Sequence, residues 1–438
     1  MADVSGKGAA AAFYMAELKG IVQAAAPLTR SPAELLELPL MSDPAVEDCM
    51  RLLMNLTTQT YIADQDWFPL IAIKMVHLTL QHGNSRVSAF AYGYLGVILG
   101  TLRGDYKTGH AFGELSLALT NHLDEPKLYC KLYWILGGLT NHWTQHIRSN
   151  VPLLRRSIEY GVETGDYVFG SWAYYYLVVS TLLSGTELSK TREEAEGALA
   201  FFRKIKNQTY ADLEEIVRHV VLNLQGATAD RRSLSGDEFD EDRCIADMRA
   251  RSHGAGVGRY HVLKMMVLCI HERYEEACSL GAASQQTLDF LTGQPLLVEH
   301  FFYYSISLCG HYTQVSAEEQ QAYRGILAEN LAQLRTWAAS CPQNFRHKVL
   351  LLEAELARLN DDLSTALGRY EQAIDEAREH RFLHNEALAH ALAGNYLASK
   401  KLTTAAKAHL QSARDLYARW GAHSRVEDLE LRFPDIRR

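Results

Sequence analysis

The sequence predicts an all-α protein, a divergent tetratricopeptide-like α-solenoid of stacked helix pairs, and three observations support this prediction. Apolar residues recur at helical spacing from about residue 45 onward, and no run alternates as a strand would. Proline, which breaks helices, is absent between Pro152 and Pro295 and between Pro342 and Pro434. Residues 362–377 return as residues 401–416, an offset of 39 residues.

The repeated segment, residues 362–377 and 401–416, is predicted to be the second helix of a helix pair. DLSTALGRYEQAIDEA aligns with KLTTAAKAHLQSARDL, so that Leu363 matches Leu402 and Ala366 matches Ala405. Each copy follows another helical segment and has small residues where the two helices would touch. A helix pair at this period is typical of tetratricopeptide-like arrays. The repeats are divergent, because the 34-residue consensus is missing.

Earlier helix pairs are predicted from two similar turns. Gly104-Asp105-Tyr106 and Gly165-Asp166-Tyr167 each lie between two helical segments. In the first pair, Gly93, Gly96 and Gly100 share one helical face. Glycine costs about 1 kcal/mol against alanine inside a helix, which favours close approach of another helix backbone at this face. A ligand at the same face is the alternative.

These elements predict four parts of the chain. Residues 1–32 form an N-terminal segment that can be flexible, and residues 33–225 form an N-terminal helical-repeat lobe. Residues 226–258 are interpreted as an acidic, glycine-rich loop, and residues 259–438 as a C-terminal helical-repeat lobe. The loop holds the acidic run Asp237, Glu238, Asp240, Glu241 and Asp242. Such runs are most often solvated, although this one could bind a metal ion or a basic partner.

The C-terminal lobe is expected to end in a capping helix at residues 425–433. Val426, Leu429 and Phe433 recur at spacings of three and four and would face inward. The charged residues of the same segment would face water: Arg425, Glu427, Asp428, Glu430 and Arg432. The last repeat of an open solenoid needs such a cover over its apolar face.

Composition indicates which classes of partner and which cell compartment to expect. The 438 residues are 47% hydrophobic and 22% charged, and the formal net charge of -8 argues against nucleic acid as the main partner. The seven cysteines contain no C-x-x-C pair, which indicates reduced thiols and a cytoplasmic protein. Residues 168–183 are strongly apolar, but Ser171, Ser180 and Thr181 interrupt them, so a buried helix is favoured over a membrane span. We therefore expect no membrane partner.

No motif for catalysis or cofactor binding is present. The chain has no G-x-x-x-x-G-K-[ST] loop and no kinase signature, and Gly254, Gly256 and Gly258 lack the dinucleotide spacing. Two histidine pairs, His142 with His146 and His380 with His384, could hold a metal ion from one helical face. Both pairs lack the glutamate of H-E-x-x-H, and surface or core histidines explain them better. We predict no enzyme, no cofactor and no metal.

An aromatic group in the first half is the candidate binding site. Its residues are Trp134, His142, Trp143, Trp172 and Tyr175, with Tyr174 and Tyr176 beside them. Core packing is the simpler interpretation. The alternative is a concave groove in which these side chains contact a protein, peptide or small molecule.

Several segments in order resemble one known family. They are LPLMSDPAVEDCMRLL, HLTLQHGNSRVSAFAYGYLGVILG, GDYKTGHAFGELSLAL, NHW at residues 141–143, and RWGAHSRVEDLELRFP near the end. Together they resemble the helical region of large bacterial signalling proteins that join a serine/threonine kinase, an AAA-type ATPase, a tetratricopeptide-like array, a GAF sensor and often a histidine kinase. The resemblance covers about residues 33–434.

The resemblance implies a regulatory scaffold of a signal-transduction ATPase or kinase. Such a scaffold would relay the binding of a partner or ligand to output modules, and its partners would be a protein or peptide, including ATPase and kinase modules in cis. The family's catalytic residues have no counterpart in this sequence. The alternative function is a small-molecule sensor that binds its ligand in the aromatic-lined groove between repeats.

Overall fold

The computed structural model describes residues 31–63, 67–236 and 239–437. These residues form twenty α-helices, most of them joined by short turns, and contain no β-strand, which confirms the predicted all-α class. The predicted N-terminal segment, residues 1–32, lies outside the described residues except for Ser31 and Pro32. Ser31 caps the first helix, because its side chain accepts a hydrogen bond from the Glu34 amide.

The helices are numbered here in chain order. The first ten are α1 (Pro32–Leu36), α2 (Pro44–Ala63), α3 (Trp67–His82), α4 (Ser88–Arg103), α5 (Tyr106–Leu123), α6 (Tyr129–Trp134), α7 (Asn150–Thr164), α8 (Tyr167–Leu183), α9 (Leu188–Lys204) and α10 (Gln208–Gln225). The next ten are α11 (Glu241–Ala250), α12 (Gly254–Ile270), α13 (Tyr274–Ser284), α14 (Pro295–His311), α15 (Ala317–Ser340), α16 (Pro342–Leu359), α17 (Leu363–Glu379), α18 (Leu383–Ser399), α19 (Thr403–Trp420) and α20 (His423–Arg432). A π-helix at Ile135–Thr140 follows α6 directly.

The described residues divide into two compact units. The first comprises those up to Thr140 together with Arg156–Gly170, and the second comprises Asn141–Arg155 and those from Ser171 onward. This division differs from the predicted lobes, whose boundary falls after residue 225. The reason is that residues 171–225 pack with the C-terminal helices: Ser424 donates a hydrogen bond to the Leu224 carbonyl, and the Trp420 indole donates one to the Thr186 carbonyl.

Turns with a left-handed residue recur at intervals of about twenty residues. In the second unit the positive-φ positions fall at 185, 206 and 226, at 252, 272 and 293, and at 361, 381, 401 and 421. Only some of them are glycine; Asp361, Arg381 and Lys401 adopt φ near +60°. One helix and its turn therefore take about twenty residues, so a helix pair takes about forty. This agrees with the 39-residue offset read from the sequence.

The first unit contains the glycine contact predicted between helices. Gly96 on α4 and Gly109 on α5 face each other so closely that a Cβ on either would overlap the other's backbone oxygen. The Gly104 turn between these helices has φ +68°, and Asp105 caps α5 by accepting from the Thr108 amide. The glycines thus serve the packing of two helices, as the simpler interpretation predicts.

The second unit is built from alternating inner and outer helices. The inner helices are α10, α12, α14, α16 and α18, and their buried residues lie on every side of the helix. The outer helices, such as α17 and α19, bury a single face; in α17 it is formed by Ala366, Tyr370, Ala373, Ile374 and Ala377. Stacked pairs of one inner and one outer helix are the arrangement that the predicted α-solenoid requires.

The last helix packs back onto an early inner helix, so the helical array of the second unit closes on itself. Asp428 on α20 contacts His271 through the imidazole Nδ1 at 2.8 Å, and His271 Nε2 lies 3.2 Å from the Asn223 side chain of α10. Arg425 pairs with Glu272 in the turn after α12. A helix therefore stands where a capping helix was predicted, but it covers no open end.

Two details of the sequence interpretation need correction. The sequence predicts Arg425 in water, yet this residue is 4% exposed, because the partly exposed Glu272 supplies a counter-charge beside it. The predicted loop at residues 226–258 contains α11 and the start of α12. Part of its acidic run belongs to a helix start: Asp240 is the N-cap of α11, and acidic residues in a first helical turn are stabilised by the helix dipole.

The closure of the second unit can be tested at Arg425. Arg425→Met should lower the free energy of unfolding by about 3–5 kcal/mol, because it removes the buried counter-charge of the Glu272 carboxylate. The matched control is Arg432→Met, which removes the exposed partner of the same Glu272 and should cost less than about 1 kcal/mol. Urea unfolding followed by circular dichroism measures both. Equal losses in the two variants would contradict a closure that depends on the buried pair.

Candidate functional site

The five aromatic and histidine residues predicted to line a groove are all buried. Trp134 is 1% exposed, and His142, Trp143, Trp172 and Tyr175 are between 1% and 5% exposed. Trp134 belongs to the first unit, where its ring packs edge-on against Phe169 at 5.4 Å between centroids. The other four belong to the second unit. This burial supports core packing, the simpler of the two interpretations made from the sequence.

Trp143 is held between two aromatic side chains that are far away in the sequence. Its ring centroid lies 5.6 Å from that of Trp337 on α15 and 5.9 Å from that of Phe345 on α16. The Ser340 hydroxyl donates a 2.7 Å hydrogen bond to the Trp143 carbonyl. The NHW motif of the sequence is therefore an anchor that inserts between two helices of the second unit.

A single asparagine holds the backbone around this anchor. The Asn344 side-chain amide donates to the carbonyls of His142 at 2.7 Å and Gln145 at 2.8 Å. Its oxygen accepts from the Ile147 amide at 3.0 Å. One buried side chain thus satisfies three backbone groups of an irregular segment, which a carboxamide can do because it carries both donors and acceptors.

The following residues continue the same contact toward α18. His146 Nε2 lies 2.9 Å from the His380 carbonyl oxygen. The Arg148 guanidinium donates to the carbonyls of Ser184 at 3.0 Å and Arg381 at 2.8 Å. We call residues 141–149 the docked segment, and we call Trp337, Ser340, Asn344, Phe345 and Arg381 its docking site.

A small cavity of about 10 Å³ lies beside the docked segment. Its wall includes His142, Glu299, Asn344 and Lys348, and its volume suffices for about one water molecule. Lys348 and Glu299 form a buried ion pair at 2.8 Å. Neither ring nitrogen of His142 has a hydrogen-bond partner in the part of the chain that the structure describes.

Burial controls the charge of the histidines around this cavity. It lowers the pKa of His142 to about 3, and it lowers the pKa of His146 as well. Burial, reinforced by the nearby Lys348, holds the pKa of His347 and His384 well below the usual value. His142, His146, His347 and His384 therefore lie in surroundings that favour neutral rings. Among the described residues, no group of three or more His, Cys, Asp or Glu could hold a metal ion.

A second polar cluster surrounds Tyr175. The Arg259 guanidinium lies over the Tyr175 ring at 4.8 Å and donates to the Gln294 side chain at 3.2 Å. Glu214 is fully buried, and its two carboxylate oxygens have no hydrogen-bond partner within the described ranges. Burial, together with Glu215, raises the pKa of Glu214 well above its usual range. The interior therefore favours the protonated, neutral form of this carboxyl.

The described residues of the acidic run do not gather into a metal site. Glu241 is buried and pairs with Lys264 of α12 at 2.8 Å. Asp240 accepts from the Arg243 amide. Asp237 and Glu238 lie outside the described residues. The apolar residues 168–183 form most of α8, and none of the helices in the described ranges has the length and hydropathy to cross a membrane.

The chain shares sequence patterns with known helical-repeat and signalling proteins. Residues 251–436 match the family model described as "CHK1-like, TPR repeats". A 150-residue stretch, 34% of the chain, is 23% identical to "Hybrid signal transduction histidine kinase G" of Dictyostelium discoideum. That stretch spans 4% of the relative's length.

One solved structure covers much of the chain. It is described as a "Circular tandem repeat protein with novel repeat topology and enhanced subunit contact surfaces", at 12% identity over 90% of this chain and 95% of that one. The TM-score is 0.20, so this likeness carries no argument about fold or function.

The sequence indicates the anchor but not the docking site. Trp143 and His142 stand out because they are aromatic and lie near other aromatic residues. Asn344 and Ser340 do not, since a lone asparagine or serine near a helix end usually indicates a turn or a cap. No local signal distinguishes Asn344, because it lies in the first turn of α16 beside other polar residues, where polar side chains are common.

Burial of the predicted residues can be tested at Trp134. Trp134→Ala should lower the free energy of unfolding by about 3–5 kcal/mol, because it leaves a large cavity in the first unit. Trp67, which is 53% exposed, provides the control, and Trp67→Ala should change stability by less than about 0.5 kcal/mol. Chemical denaturation measures both. A ligand-facing Trp134 would instead tolerate truncation as well as Trp67 does.

Acid should weaken the fold through His142. Its folded pKa of about 3 lies below the ordinary 6.5, so the unfolded chain takes up a proton between these values while the folded chain does not. Stability from this group is therefore lost as the pH falls from 6.5 toward 3. His142→Leu should reduce the slope of unfolding free energy against pH by up to about 1.4 kcal/mol per unit between roughly pH 6 and 4. Exposed His423→Leu is the control, and an unchanged slope in the His142 variant would refute the assignment.

Proposed function

We propose that the chain is a non-catalytic, protein-interaction scaffold of a signal-transduction ATPase or kinase. The observation that carries this proposal is the match of residues 251–436 to tetratricopeptide repeats described as CHK1-like. Arrays of such repeats present large surfaces to protein partners. The relative named as a hybrid signal transduction histidine kinase supports a signalling context.

The proposed role is to relay the binding of a protein or peptide partner to output modules. In this scheme the ATPase and kinase modules are partners in cis or in separate chains, and the scaffold works in the cytoplasm of a bacterium. The bacterial setting rests on the sequence resemblance, since the curated relative comes from Dictyostelium discoideum. Neither nucleic acid nor a membrane is among the proposed partners.

The small-molecule sensor gains no support from the site geometry. The side chains named for its groove are buried, and the cavity beside His142 has room for about one water molecule. We therefore retain the scaffold and treat ligand sensing as an outcome of the test.

The test is to identify what the full chain binds in its own host. The tagged chain, expressed at its native level, should enrich a polypeptide that contains a P-loop or a kinase catalytic loop by about tenfold or more over a helical-repeat control of equal size and charge. Quantitative mass spectrometry measures the enrichment. A thermal-shift screen of metabolites runs in parallel, because a ligand of the folded state raises its melting temperature. Stabilisation by a metabolite without any enriched ATPase or kinase would replace the scaffold with a sensor.

A further inference from the structure

The docked segment makes contacts of the kind that a bound peptide makes. Four hydrogen bonds connect the side chains of Asn344 and Ser340 to backbone atoms of residues 142, 143, 145 and 147. Only Trp143 inserts a side chain between two rings of the docking site. Backbone recognition combined with one aromatic anchor is how peptide-binding surfaces gain affinity and selectivity.

The docked segment comes from a remote part of the chain. It lies about 200 residues before Asn344 and Ser340 in the sequence. A local loop would be held by a neighbouring helix, as Asn223 holds the carbonyls of Asp230 and Ser233 only seven and ten residues away. The contact at Asn344 is therefore not a consequence of chain proximity, and another chain can supply the same groups.

The docked segment also fits its site imperfectly. His142 is buried with both ring nitrogens unpaired among the described residues, and it lines the cavity of about 10 Å³. An unpaired buried polar group weakens a contact. A peptide with an apolar residue at the position of His142 would avoid this cost.

We propose that the docking site is a peptide-binding site of the scaffold, which the docked segment occupies until an aromatic-containing segment of a partner protein displaces it. This inference rests on the proposed function and adds the chemistry of the partner. The partner segment has an aromatic residue at the position of Trp143. Five residues later it has an arginine, which reaches the carbonyls of Ser184 and Arg381 as Arg148 does.

The experiment uses a fluorescent peptide with the sequence of residues 139–150 and the full chain. The Trp143→Ala variant lacks the anchor of the docked segment. It should therefore bind the peptide with an affinity about tenfold higher, or more, than that of the wild-type chain, as measured by fluorescence anisotropy. A control peptide with alanine in place of the tryptophan should not bind. Adding Asn344→Leu to the Trp143→Ala variant should abolish binding, because the leucine keeps the branched shape but cannot form hydrogen bonds with the backbone.

Circular dichroism and size exclusion establish that each variant is folded. If Trp143→Ala does not fold, Trp143→Leu takes its place. Equal weak binding to the wild-type and folded variant chains, or binding that survives Asn344→Leu, would overturn the proposal. If only the peptide-binding proposal fails, the wild-type chain still enriches an ATPase or kinase from its host. If the proposal holds, the Trp143→Ala variant enriches that partner several-fold more than the wild-type chain does.

Discussion

Burial of the inner helices on every side is the constraint on which the second unit depends. A helix without a solvent face must find an internal partner for each ionisable group that it carries, or hold the group neutral as it does Glu214. Lys348 of α16 pairs with Glu299 of α14, and Lys264 of α12 pairs with Glu241 of α11. Each pair joins two helices, so the interaction that satisfies the charge also selects the neighbour. We expect these pairs to specify register more than to add net stability, because desolvation offsets much of their attraction.

The same constraint accounts for two of the long-range contacts in the second unit. The docked segment and α20 both bring distant parts of the chain to the inner helices, and side chains bind backbone carbonyls at each place. Asn344 binds the carbonyls of His142 and Gln145, and Ser424 donates to that of Leu224. The contacts differ in quality. The contact at α20 includes charge pairs, whereas the contact at the docked segment includes a histidine whose ring nitrogens are unpaired among the described residues.

The predictable part of the fold is the part with a local signal. The outer helices bury one face, so residues 362–377 and 401–416 can be recognised as equivalent, and the Gly-Asp-Tyr turns mark two helix starts. The inner helices have no such periodicity, and their neighbours cannot be read from the sequence. The sequence predicts Arg425 in water because a charge on a short helix usually lies there. Glu272, which contradicts that expectation, lies 153 residues away.

The candidate site is only partly predictable for the same reason. An aromatic residue such as Trp143 packs equally well in a core, in a groove or at an interface, and its sequence neighbours do not distinguish these. Trp337 and Phe345, which surround it, belong to another part of the chain. The acidic run is likewise ambiguous, because Asp240 is a helix cap only if a helix follows.

The meeting of the last helix with an early one limits how this array can evolve. An open solenoid can gain or lose a helix pair and keep every remaining interface. In the second unit such a change would move Asp428 away from His271 and Trp420 away from Thr186. The geometry of this closure therefore fixes the number of helix pairs in the second unit. Relatives should therefore differ in the length of the turns between helices and not in the number of helix pairs.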